Sequence, residues 1–149
     1  MFTRIALAGL LTAGLVAVAE PAQAAANQPS SSFVAVMSGD NELPAGTGDP
    51  DARGVALLQI KSKSVCYVLH VRNVDGTVDG AHIHLGRPDQ EGPVVVDLNP
   101  PTHMGSSVGC TWIGRKLAWK LRTNPRHYYV NVHSTAYPDG ALRGQVHKV

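Results

Sequence analysis

Residues 65–71 read Val-Cys-Tyr-Val-Leu-His-Val, and Val65, Tyr67, Leu69 and Val71 occupy every second position. Successive side chains of a β-strand point to opposite faces of its sheet, so these four residues share one face. The pattern therefore predicts a strand with one buried face. Similar short apolar runs recur along the chain, separated by segments rich in Gly, Pro, Asp and Ser.

The other apolar runs predict strands at residues 33–37, 55–60, 81–85, 94–98, 128–133 and 141–147. Only residues 114–123 look helical, and Pro125 limits them to a short turn of helix. Several short strands with turn signals between them are typical of a sandwich or a barrel. We therefore predict an all-β domain, a single antiparallel Greek-key β-sandwich.

The N-terminus has the three parts of a secretory signal peptide. A basic residue precedes an apolar run of fifteen residues, and small residues follow in Ala-x-Ala order up to Ala24 and Ala26. The run is shorter than the roughly 20 apolar residues that span a bilayer. We expect cleavage after Ala24 or Ala26, so that residues 1–24 are a signal peptide, 25–32 a flexible lead-in and 33–149 the domain. This organisation predicts a secreted, periplasmic or cell-envelope protein with no membrane span in its mature chain.

Length and charge narrow the classes of partner. Cleavage after Ala24 leaves 149 − 24 = 125 residues, enough for one domain with a core. The formal net charge is +2, and it stays +2 because the removed segment holds one Arg and one Glu. The basic residues are scattered along the sequence without a dense run, which argues against nucleic acid as a partner.

Cys66 and Cys110 are the only cysteines of the chain. A lone pair in an exported protein usually forms a disulfide, so we predict one between them. It closes a loop of about 45 residues, worth roughly 4 kcal/mol in the chain-entropy model. Their Cα atoms should then lie about 4.4–6.8 Å apart. The alternative, a redox or metal-binding pair, is disfavoured because the two cysteines lack the C-x-x-C spacing.

Three predicted strands carry polar side chains opposite their apolar residues. The strand predicted at 81–85 has two histidines on one face. The strand predicted at 128–133 has an asparagine and a histidine on its polar face, and the strand predicted at 141–147 has an arginine and a glutamine. If these strands are neighbours, their polar side chains gather on one surface: His82, His84, Asn131, His133, Arg143 and Gln145.

Five segments carry a resemblance to a known family: residues 38–44 (SGDNELP), 81–86 (AHIHLG), 91–96 (EGPVVV), 128–133 (YYVNVH) and 138–146 (PDGALRGQV). In this order they resemble the CHRD domain, named for repeats in the bone-morphogenetic-protein antagonist chordin. The placement of the two cysteines resembles that in bacterial members. The resemblance implies a secreted β-sandwich module with a binding or structural role, whose partner is an unknown extracellular protein or cell-envelope ligand.

His82, His84 and His133 are the candidate metal ligands. Three imidazoles suit copper or zinc, and Asn131 and Gln145 are placed to orient them by hydrogen bonds. The His-x-His strand also resembles that of copper–zinc superoxide dismutases, so the sandwich topology is expected to be immunoglobulin-like or dismutase-like. The remaining ligand pattern of the dismutases is missing, which argues against dismutase activity. Ring nitrogens within about 4 Å of one another would indicate a preformed site.

A structural role is the alternative for these histidines, in which imidazoles hydrogen-bond to amides or loop carbonyls and hold strand ends together. Nucleophilic catalysis has little support, since no G-x-S-x-G motif occurs. The leading prediction is therefore a non-enzymatic exported binding or structural module. The second is a copper- or zinc-binding protein, which copper would make redox-active.

Glu42 and Arg143 are a predicted ion pair between the two ends of the domain. An arginine withdrawn from water needs a partner, and its planar fork matches a carboxylate with two hydrogen bonds. Pro44 restricts the chain next to Glu42 and favours one side-chain direction. In the alternative, Arg143 lies solvated on an open face.

Overall fold

The computed structural model describes residues 31–149. The predicted signal peptide and residues 25–30 of the predicted lead-in lie outside the described residues. The first strand begins at Ser31, two residues before the predicted start of the domain at residue 33. No helix among the described residues is long and apolar enough to cross a membrane.

Nine strands and one helix make up the described chain. The strands are β1 Ser31–Ser38, β2 Arg53–Ile60, β3 Ser64–Arg72, β4 Val78–Leu85, β5 Val94–Asp97, β6 Ser106–Trp112, β7 Tyr128–Ser134, β8 Leu142–Gln145 and β9 His147–Lys148. Helix α1 spans Gly114–Thr123, and short 3-10 turns occupy Gly39–Asn41 and Pro125–His127. Each apolar run contains a strand, but the strand predicted at 141–147 is divided into β8 and β9 at Val146.

The strands form one antiparallel sheet in the order β5-β4-β7-β8-β1-β2-β3-β6, with β9 also paired to β1. The sheet is nearly closed, because side chains of β6 reach the chain at β5: Ser107 Oγ donates to Asn99 O at 2.7 Å, and Thr111 Oγ1 donates to Asp97 O at 3.4 Å. The all-β class is confirmed. The hydrogen-bonded strands form one continuous sheet. The two packed layers of the predicted Greek-key sandwich are therefore not distinguished by the strand pairing.

The core lies inside this sheet. Alternate residues of each strand point inward, so Phe33, Leu69 and Ile83 are at most 1 % exposed. The four apolar residues at alternating positions in 65–71 are likewise buried, as their spacing predicts. Burial of such apolar side chains is the main favourable term in folding, at roughly 25 cal/mol per Å².

Helix α1 and strand β6 correct the sequence prediction. Residues 114–123 form a ten-residue helix rather than a short turn, since Ala118 and Leu121 are fully buried against the sheet. Strand β6 was not predicted because its inward positions are small and polar rather than apolar. One of them, Gly109, is needed to accommodate the Tyr67 hydroxyl, which would lie 2.5 Å from a Cβ there.

The predicted disulfide between Cys66 and Cys110 is present. The two residues are direct partners across β3 and β6, on the outer face of the sheet. Their Cα atoms are 3.9 Å apart, closer than predicted, because the bridge joins neighbouring strands at the same level rather than distant segments.

Candidate metal centre

Strands β4, β7 and β8 are neighbours, so the assumption behind the predicted polar surface is confirmed. Asn131 pairs with His82 on one side and with Arg143 on the other. His133 pairs with Gly80, one step from His82 along the strands. The three strands thus bring together the six polar side chains predicted to share a surface.

Two loops cover this surface and remove most of it from water. Residues 39–52 follow β1, and residues 86–93 connect β4 to β5. Asn131 and Arg143 keep only 4 % and 2 % of their exposure, although both point away from the core of the sheet. The polar surface is therefore a second, polar interior between the sheet and its loops.

The three histidine rings face one another. Ring centroids are 5.0 Å apart for His82 and His133, 5.7 Å for His82 and His84, and 6.3 Å for His84 and His133. One nitrogen from each ring lies within 4.8 Å of the other two. The upper limit of this separation exceeds the ~4 Å expected of a preformed site.

Backbone carbonyls fix the protonation of two of these rings. The Nδ1 atom of His84 lies 2.9 Å from Gly92 O, and that of His133 lies 2.9 Å from Pro138 O. A carbonyl oxygen only accepts, so each Nδ1 carries the proton and each Nε2 of the neutral ring keeps a lone pair. Both Nε2 atoms are buried without a hydrogen-bond partner.

His82 supplies the third nitrogen. Its Nδ1 is buried and unpartnered, while its Nε2 lies 3.8 Å from Asp97 Oδ1 at the outer edge of the centre. Burial lowers the pKa of His82, and the neighbouring rings of His133 and His84 lower it further. Burial also lowers the pKa of His84. Both effects favour the neutral ring, the form that binds a metal.

Asn131 and Gln145 form hydrogen bonds to groups other than the three histidine rings. The Gln145 Nε2 atom lies 2.8–2.9 Å from the carbonyls of Gly86, Arg126 and Tyr128, so it links strand ends. The Asn131 amide donates to Glu42 Oε2 at 3.4 Å, and its Oδ1 is unpartnered. Backbone carbonyls hold the rings of His84 and His133, which a pattern of side chains does not reveal.

The predicted hydrogen-bonded ion pair between Glu42 and Arg143 is not formed, although both are buried beside one pocket. The guanidinium carbon of Arg143 lies 3.6 Å from the Tyr129 ring centroid, and Nη2 donates to Arg87 O and Gln90 O. The arginine therefore finds its partners in an aromatic ring and a loop backbone. Asn41 Nδ2 donates to Arg143 O, which ties the first strand's exit to β8.

Burial has a different consequence for Glu42. It raises the pKa of this carboxyl to about 7, with Arg143 and the Asn131 hydrogen bond opposing the rise. Gly140 lies against the carboxylate, because a Cβ there would be 2.7 Å from Glu42 Oε2. Oε1 is buried and unpartnered.

Two residues of the centre were not singled out from the sequence. Tyr129 stacks on His84 with ring centroids 4.8 Å apart, and it also carries Arg143. The period of two places Tyr129 on the polar face of its strand, but it does not predict the stacking on His84. Asp97 reaches His82 because β5 pairs with β4, a neighbour relation that the sequence does not state.

The donor set fits a transition-metal ion. Imidazole nitrogens bind zinc or copper at about 2.0–2.1 Å, and two ligands of one tetrahedral ion are then about 3.4 Å apart. The three nitrogens must therefore approach one another by up to about 1.4 Å on binding. Without a metal, each of the three buried ring nitrogens has a lone pair with no hydrogen-bond donor. Each such unsatisfied group costs about 1–3 kcal/mol of stability.

Fold and site together define a small antiparallel β-domain with one disulfide and a buried cluster of three histidines. The family model of the CHRD domain matches residues 33–146, so the chain belongs to the CHRD domain family. Neither the curated proteins nor the solved structures compared with the chain gave a significant match.

Proposed function

We propose that this CHRD domain is an exported, non-enzymatic binding module whose ligand is a zinc or copper ion, held by His82, His84 and His133. The observation that carries the proposal is the set of three buried, unpartnered ring nitrogens, one from each histidine, that face one another. Family membership supports a binding or structural module, and the disulfide supports an oxidising compartment outside the cytosol.

The lone pairs favour metal binding over a purely structural role. In a structural role, the hydrogen bonds to Gly92 O and Pro138 O hold two loops against the sheet. Those bonds account for only one nitrogen of each ring. They also leave the other nitrogen of each ring deprotonated and directed inward. In metal sites, a hydrogen bond to the ring nitrogen that does not bind the metal orients the histidine in the same way.

Calorimetric titration of the metal-free protein tests the proposal. We expect about one equivalent of Zn²⁺ or Cu²⁺ to bind at neutral pH, and the double variant His82→Ala/His84→Ala to lose it. The matched control is His103→Ala/His147→Ala, which removes two exposed histidines and should leave binding unchanged. Circular dichroism of each variant establishes that the fold is retained.

The possible outcomes separate the two roles. If the wild-type protein binds neither ion, or if the double variant binds as well as the control, the metal proposal is wrong. If the double variant binds no metal but also melts at a much lower temperature, the single variant His82→Asn is titrated in its place. The side chain of His82 has no direct hydrogen bond to lose, so this variant should keep the fold.

Export is tested by the mature N-terminus. The protein purified from culture medium or periplasm should begin at residue 25 or 27, as the Ala-x-Ala pattern predicts. An intact Met1 on protein that remains in the cytosol contradicts export.

A further inference from the structure

Both tryptophans of the chain lie on the outside of the molecule, where helix α1 follows strand β6. Trp112 is 74 % exposed at the end of β6, and Trp119 is 57 % exposed on α1. A Cβ on Gly114 would be 3.3 Å from the Trp112 indole, which places that ring against the start of the helix. Large aromatic side chains in this position leave extensive apolar surface in water.

Further apolar side chains are exposed on the outer face of the sheet. Val108 shares the outer face of β6 with Trp112 and is 67 % exposed. In register with it lie Val68 on β3 and Leu57 on β2, which are 46 % and 51 % exposed. Leu57, Val68 and Val108 thus form an exposed apolar row across β2, β3 and β6, four residues along β6 from Trp112.

Basic side chains surround the tryptophans at this end of the molecule. Helix α1 packs on the β2–β3 hairpin, where Arg122 donates to Lys61 O and the amides of residues 113 and 114 donate to Lys63 O. The basic residues at this end are Lys61, Lys63, Arg115, Lys116, Lys120 and Arg122. Within residues 31–149 none of the six has a carboxylate within 4.0 Å, since the ion pairs found there involve Arg53 and His82.

Folding therefore concentrates basic residues that the sequence shows as scattered. No Asp or Glu occurs in residues 52–74 or 98–138, the two segments that build this end. Lys63, Arg115 and Arg122 line one groove with Trp119. We call the two tryptophans with the six basic residues the basic tryptophan surface.

We propose that the basic tryptophan surface docks the domain onto an anionic lipid bilayer. Tryptophan prefers the boundary between hydrocarbon and headgroups, and Lys and Arg beside it are attracted to anionic headgroups. A soluble polyanion would neutralise the same cations but leave both indoles in water. The two exposed indoles therefore favour the bilayer. The proposal is independent of the metal centre.

The tryptophans themselves report the contact, because the chain has no others. The exported protein is mixed with phosphatidylcholine vesicles that either contain or lack phosphatidylglycerol, and binding is followed by flotation and by indole emission. We expect binding and a blue shift only with phosphatidylglycerol, quenching by brominated acyl chains, and release by added salt. Quenching locates the contact at the basic tryptophan surface rather than at the N-terminus.

Variants separate this surface from general electrostatics. Lys63→Glu/Arg115→Glu reverses two exposed cations of the surface, and Arg72→Glu/Arg87→Glu makes the same charge change elsewhere. We expect the first variant to lose roughly tenfold or more in vesicle partitioning and the second to lose far less. Trp119→Ala should weaken vesicle binding without changing retention on polyphosphate.

Three results would overturn the proposal. One is equal binding to both kinds of vesicle. Another is equal loss in the two charge variants. The third is retention on polyphosphate with no vesicle binding and no blue shift, which would identify a soluble polyanion as the partner.

Discussion

Replacing Glu42 with Gln should stabilise the protein at alkaline pH, although Glu42 is buried beside an arginine. Burial raises the pKa of the Glu42 carboxyl from its ordinary 4.5 to about 7, so the folded state prefers the protonated form. Its contribution to stability is fully present below pH 4.5 and is lost as the pH rises through about 7. Glutamine resembles the protonated carboxyl in shape and stays neutral throughout.

The size of the effect follows from the two pKa values. Their difference is 7 − 4.5 = 2.5, and each pH unit corresponds to about 1.4 kcal/mol, so the upper bound is about 3 kcal/mol. Glu42→Gln should therefore match the wild type near pH 4.5 and exceed it by up to about 3 kcal/mol above about pH 8. The lowered pKa values of His82 and His84 act in the opposite direction, but they cancel in this difference.

Urea unfolding followed by far-ultraviolet circular dichroism, repeated across this pH range, measures the difference. Asp79→Asn is the control, since it makes the same carboxyl-to-amide change at an exposed position and should alter stability by less than about 0.5 kcal/mol. A variant that is less stable than the wild type at alkaline pH refutes the reasoning. That result would indicate the direct ion pair with Arg143 that the sequence predicted.

Three further changes probe the disulfide, the arginine and the ligand geometry. Cys66→Ser/Cys110→Ser should lower the free energy of unfolding by about 4 kcal/mol in non-reducing urea titrations, and an unchanged midpoint would contradict the entropic role of the bridge. Arg143→Lys should cost about 2–4 kcal/mol, because lysine cannot both stack on the tyrosine ring and reach two loop carbonyls; a loss below about 0.5 kcal/mol would count against this packing. Gly80→Ala puts a methyl group 3.3 Å from the His133 ring and should weaken metal affinity roughly tenfold while the fold persists, whereas unchanged affinity would show that the ring is free to move.

The sequence predicts the strands of this domain well where one face is apolar. The alternation at residues 65–71 and the run at 128–133 both appear as strands with the expected buried faces. Strand β6 was not predicted because its inward residues are not apolar. One of them, Gly109, leaves room for the Tyr67 hydroxyl instead of adding a side chain to the core. Helix α1 was predicted too short because Pro125 restricts only Asn124 and the residues after it, which leaves 114–123 free to form a full helix that buries Leu121.

The candidate site was predictable in part. A period of two places His82 and His84 on one face, and the same argument places His133 on the polar face of its own strand. That the two strands are neighbours came only from the structure. The covering loops were also not predictable, and they decide that Arg143 meets carbonyls and that Glu42 is buried.

The metal content of the untagged protein, purified from its native compartment and analysed by elemental and native mass spectrometry, tests the central claim most directly. The account predicts about one zinc or copper ion for each chain, and none in protein carrying His82→Ala/His84→Ala. Wild-type protein that leaves its compartment without metal, or a double variant that retains the same metal content, would contradict it.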